Sequence, residues 1–155
     1  MMLNIEKSIK NVPTKRLFLL ITTIVIFMFA GCMKSDQEKQ FEIGPNIPAA
    51  SGIINYETTE NGNTKIKIKV KNLALPNKVR SEASTYVVWV ISVKENSLPQ
   101  NVGVLKVSEN LSGEINTLTP HKEFEVFITA EAVGDVNKPS GEHLLKAQII
   151  KQPKN

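Results

Sequence analysis

Cysteine occurs once in this chain, tryptophan once and histidine twice. A single cysteine cannot close an internal disulfide, and it cannot build the Cys-rich kind of zinc site. The histidines, His121 and His143, lack the sequence-local partners that metal and nucleophile motifs require, so both read as surface residues. Ser112 sits in Leu111-Ser112-Gly113, without the G-x-S-x-G frame of a nucleophile elbow. The chain is therefore expected to be no enzyme, with no catalytic residue, no metal ligand and no cofactor. A basic field is scarce as well. Of the formal net charge of +4, residues 1–31 carry +3 (Lys7, Lys10, Lys15 and Arg16 against Glu6), which leaves +1 for the remainder. Nucleic acid is not an expected partner.

What is present begins at the N-terminus. Met1 to Arg16 is polar and net positive, and Leu17 to Ala30 is a 14-residue apolar run without a charge. A basic region, an apolar region of this length and a small-residue cut site are the parts of a secretory signal. Phe29-Ala30-Gly31-Cys32 resembles the bacterial lipobox, in which small residues precede the cysteine, although Phe29 is bulkier than the leucine usual there. The resemblance implies cleavage between Gly31 and Cys32, with a diacylglyceryl group on the Cys32 thiol. The partner it implies is the membrane, reached through covalent lipid. An uncleaved membrane-spanning helix is the alternative, since Leu17 to Met33 makes 17 uncharged residues, the short edge of a span. The choice between cell membrane and outer membrane stays open.

Residues 32–155 suffice for one domain. Lys34 to Pro48 is polar, with Pro45, Pro48 and Gly44, and reads as a lipidated tether over 32–48 that lifts the domain clear of the membrane. The domain is expected over 49–155, and from Ser51 onward the pattern has period two. Strands are expected at Ser51–Glu57, Thr64–Asn72, Thr85–Val93, Val102–Val107, Glu114–Leu118, Glu123–Ala130 and Glu142–Lys151. Asn61-Gly62 marks a hairpin turn between the first two. Thr85–Val93 is apolar on nearly both faces, as in a central strand covered from each side. Seven short strands without a convincing helix predict an all-β fold, an antiparallel, immunoglobulin-like β-sandwich.

Several residues carry a sharper and a blander reading. Lys65, Lys67, Lys69 and Lys71 alternate along one strand as a cationic stripe. It reads as the guard of an edge strand, with contact to anionic lipid or polysaccharide as the alternative. Glu123, Glu125 and Glu131 share one strand parity and read as a solvated face rather than as paired acid–base carboxylates. Trp89 reads as core rather than as a sugar platform. Asn110-Leu111-Ser112 fits a glycosylation sequon, which means little behind a lipobox.

One further resemblance spans about residues 83–150. Tyr86-Val87-Val88-Trp89-Val90 is followed by Asn101-Val102-Gly103-Val104-Leu105. Then come Phe124-Glu125-Val126-Phe127-Ile128-Thr129-Ala130-Glu131 and Lys138-Pro139-Ser140-Gly141-Glu142. This order resembles the extracytoplasmic C-terminal domain of anti-sigma-K factors and implies a β-rich domain. Such factors also keep a cytoplasmic helical domain, some with a zinc site of one His and two cysteines. Here only Met1 to Arg16 precedes the apolar run, too few residues for an interface of about 1,000 Å². The expected function is a lipid-anchored envelope module that binds or supports an envelope protein or polysaccharide. The alternative is a signalling accessory that senses envelope state through a transmembrane partner, without inhibiting a sigma factor itself.

Overall fold

Alternation along Thr64–Lys71 builds the inner wall of one sheet. Ile66, Ile68 and Val70 are at most 1% exposed, while Lys65, Lys69 and Lys71 face outward. The computed structural model describes residues 37–94 and 96–150. Its strands run β1 (Gln37–Gln40), β2 (Glu42–Ile43), β3 (Ser51–Thr58), β4 (Thr64–Lys71) and β5 (Thr85–Ser92). They continue as β6 (Gln100–Leu105), β7 (Gly113–Thr119), β8 (Phe124–Glu131) and β9 (Leu145–Ile149). One helical turn, α1 (Pro76–Val79), lies between β4 and β5. Among the described residues no helix is long and apolar enough to cross a membrane.

The strands form two antiparallel sheets, ordered β1-β3-β4-β7 and β2-β9-β8-β5-β6. Apolar side chains from both sheets meet in one core, including Ile54, Ile66 and Ile68 from the first and Tyr86, Val88, Phe124 and Ile128 from the second. The fold is the expected β-sandwich, and each of the seven expected strands is present with shifted ends. The order β9-β8-β5-β6 has the G-F-C-C′ sequence of immunoglobulin-like sandwiches. The other sheet carries an additional strand, β4, between β3 and β7.

The segment expected as a tether departs most from the sequence reading. From Gln37 it is folded into the domain: β1 pairs antiparallel with β3, and β2 pairs antiparallel with β9. Between them Phe41 is 6% exposed, and Ile47 further on is 4% exposed. The domain therefore begins near residue 37 rather than 49, and four residues separate Cys32 from the first strand. The cause is physical. Phe41, Ile43 and Ile47 are apolar groups that gain by leaving water, and β3 offers an unpaired edge to the backbone beside them. Residues 1–31, Cys32, and Lys151 lie outside the described residues, so the signal peptide, the lipidation site and the end of the last expected strand do as well.

The edge strand β6 explains one glycine. Val88 pairs with Gly103 and Trp89 with Asn101, so Val102 is an extra residue in a β-bulge. Gly103 has φ +136°, and a Cβ there would lie 2.9 Å from Ile115 Cδ1. Both facts favour glycine.

If the segment from Gln37 to Ile43 belongs to the fold, Phe41→Ala should cost about 3–5 kcal/mol, the usual range for a core aromatic. Urea unfolding of the two proteins measures it. Unchanged stability would return these residues to a tether.

Candidate functional site

The outer face of the second sheet is apolar where solvent would be expected. Val87, Trp89 and Phe127 form a second buried cluster there, with Trp89 0% exposed. They share one parity, opposite to the residues that enter the main core, so Trp89 is shielded but not between the sheets. What shields it is the connection between β8 and β9, residues 132–144, laid across the sheet as a strap. Val136 packs on the cluster. The His143 ring stacks on Phe127 at 3.8 Å between centroids, and Phe127 lies 6.3 Å from Trp89. Gly134 sits so close to β6 that a Cβ would meet Val104 Cγ2 at 2.5 Å. Asn101 Nδ2 donates to the carbonyls of Gly134 and Val136, at 2.9 and 3.0 Å.

Glu131 fastens the other end of the strap. It is 0% exposed, which corrects the reading of Glu123, Glu125 and Glu131 as one solvated face: Glu123 is exposed, Glu125 half-buried and Glu131 fully covered. Thr129 Oγ1 donates to Glu131 Oε1 at 2.6 Å, and the Ser140 backbone N–H donates to the same oxygen at 2.9 Å. The Ser140 hydroxyl donates to Oε2. Trp89 Nε1 donates to Thr129 Oγ1 at 2.9 Å, and Arg80 donates through one guanidinium nitrogen to Ser140 Oγ at 2.8 Å. The result is a continuous relay from Trp89 through Thr129, Glu131 and Ser140 to Arg80. Burial pushes the Glu131 carboxyl up. The donors on Ser140 and Thr129, with the backbone N–H groups of Ser140 and Gly141, outweigh it and hold the group below its ordinary value.

Beside this relay lies a cleft of about 290 Å³. Arg80, Ser140, Glu142 and Asn46 supply its polar wall, and Val79 and Leu144 its apolar one. These polar groups are already engaged: Asn46 Nδ2 donates to Glu142 at 2.6 Å, and Arg80 Nε donates to Glu82, outside the cleft, at 2.6 Å. With its neighbours Ser81 and the backbone, Arg80 holds the exposed Glu82 carboxyl at about 2. The cleft is at the lower limit of small-molecule sites.

The lysine stripe requires a second correction. β4 is hydrogen-bonded to β3 on one side and β7 on the other, so its lysines do not guard an edge. They occupy the middle of the outer face of the first sheet. Lys65 pairs with Glu57 at 3.3 Å and Lys67 with Glu114 at 2.7 Å. The remaining residues do not converge. His143 is exposed on the strap, while His121 is half-buried in the β7–β8 turn, where its carbonyl accepts from Thr64 Oγ1. Ser112 and Asn110 belong to the Ser108–Ser112 turn and bond each other. Among the described residues no three His, Cys, Asp or Glu side chains are grouped to hold a metal ion.

Sequence reasoning missed Glu131, Ser140 and Arg80 as one unit. The available signal was parity: Trp89, Phe127, Thr129 and Glu131 all fall on the outer face, and an apolar outer face needs a cover.

Glu131→Gln keeps the shape but turns an acceptor into an amide facing donors. It should cost about 2–4 kcal/mol and shift Trp89 emission toward that of a wetter indole. In the wild type the depressed Glu131 value makes its stabilising contribution complete above the ordinary glutamate value of 4.5. That contribution is lost as pH falls through the folded-state value. The Gln variant should lack this acid-side loss. Urea midpoints measured for both proteins across acid pH test it, and parallel curves would exclude the role.

No protein-family model matches the chain, and no curated protein sequence matches it.

Proposed function

We propose that this chain is a bacterial lipoprotein, cut before Cys32, whose β-sandwich acts outside the cytoplasm as a non-catalytic binding or structural module. The observation that carries the reading is Phe29-Ala30-Gly31-Cys32 directly behind a 14-residue uncharged run. Two or more acyl chains hold a protein at a membrane far more firmly than one. A non-catalytic role is supported by the chemistry around Ser140. Its hydroxyl contacts a carboxylate held below the usual range, a poor general base, and its oxygen also accepts from Arg80.

A second reading, a signalling accessory that works through a transmembrane partner, is favoured by one observation. Trp89, Thr129, Glu131 and Ser140 come from three of the short stretches that resemble the anti-sigma-K C-terminal domain, and they are joined by hydrogen bonds. Crosslinking in native membranes followed by pulldown separates the two. A transmembrane regulator as main partner favours signalling; cell-wall material or an outer-surface protein favours the structural module.

The anchor is tested by intact mass. Protein taken from its native membrane is expected to begin at Cys32 and to carry acyl chains, and Cys32→Ser to remain uncleaved there and unlipidated. A wild-type chain still beginning at Met1 or Met2, with a free thiol, would overturn the reading.

A further inference from the structure

The two ends of the lysine stripe differ in how their charge is met. Glu57 and Glu114 engage Lys65 and Lys67. Lys69 and Lys71 are exposed. Lys69 shares Glu114, its cross-strand partner, with Lys67, and Lys71 stands opposite Ser51, so two lysines at this end have one carboxylate shared with a third. Their side chains leave the same strand face roughly 6.6–6.8 Å apart. They also line a groove of about 500 Å³ whose apolar wall includes Phe41, Ile43 and Ile53. Two cations beside an apolar trough match an anionic amphiphile: phosphate on the lysines, glycerol and the first acyl carbons along the isoleucines.

The chain ahead of the domain says where such a molecule is found. Cys32 and Gln37 are five residues apart in sequence, so they can separate by at most about 18 Å. Across β3, Gln37 stands level with Ile66 of β4. Lys69 and Lys71 therefore lie about 10 Å to the side and about 10–17 Å further along the sheet, roughly 14–19 Å away, a span comparable to the tether's own reach. We propose that the Lys69–Lys71 end of the first sheet docks on acidic phospholipid head groups of the membrane that holds the anchor. The inference rests on the lipoprotein reading. It converts a suspended domain into one that lies against the bilayer, with the strap and the Glu131 relay on the opposite sheet, turned away. The anchor raises the local concentration of the face at the lipid, so a contact weak in solution is occupied on the membrane.

Full-length protein is reconstituted into phosphatidylcholine vesicles with and without phosphatidylglycerol. Amine acetylation is then read at Lys69 and Lys71 by mass spectrometry, with Lys138 on the strap as reference. With phosphatidylglycerol, labelling of Lys69 and Lys71 relative to Lys138 is expected to fall roughly fivefold. Protection should disappear at about 1 M salt, where the Debye length is near 3 Å. Equal labelling in the two vesicle types overturns the proposal. So does protection seen in native envelopes but in neither vesicle, which would assign the face to a polysaccharide or a protein. The chain enters either vesicle by its lipid or by its uncut apolar run, and intact mass distinguishes these. Failure of the anchor reading is thereby separate from failure of the docking.

Discussion

A carboxylate withdrawn from water costs several kcal/mol unless donors replace its hydration, and the second sheet is organised around meeting that condition at Glu131. Its donors come from the neighbouring strand residue Thr129 and from Ser140, nine residues further along the chain. The carboxylate thus joins the end of β8 to the far end of the strap. With the strap fixed there and at Asn101, Val136 and His143 lie over Phe127 and Trp89. A neutral residue in place of Glu131 would leave the strap without that fixed point and the indole without its cover.

The two sheets use their outer faces differently. One carries a small apolar cluster beneath a fastened loop. The other is uncovered and carries four lysines on its second-to-last strand, two of them neutralised by neighbours. Exposed ion pairs of this sort contribute at most about 1 kcal/mol each, so the stripe does little to hold the fold together. Its importance lies in what can approach it.

The strands of the sandwich were legible because alternation is a local property. Ile66, Ile68 and Val70 point inward wherever β4 is placed. Its neighbours are a different matter: nothing in Lys65–Lys71 tells a central strand from an edge one, since both can present an exposed face. The early strands β1 and β2 escaped because four and two residues are too short to display a period. Their placement depends on partners elsewhere in the chain: β3 for β1, and Leu145 and Lys146, more than a hundred residues away, for β2. For Glu131 the alternation gives the correct face but not the environment, which is fully covered. Parity is written in the strand, whereas the cover comes from a loop whose path is set by Asn101 and by the carboxylate itself.

The crossing at Phe41 has a mechanical side. Residues 37–40 pair with one sheet, residues 42–43 pair with the other, and the ring between them is buried in the core that both sheets share. Strand hydrogen bonds run perpendicular to the chain. A pull along β1 from the N-terminal side therefore loads its pairs with β3 together, in shear, rather than one at a time. Behind them the phenyl ring must leave the core before the second sheet feels the tension. Any load applied through the N-terminal side, as the proposed anchor would apply it, therefore enters through the part of the domain stitched to both layers.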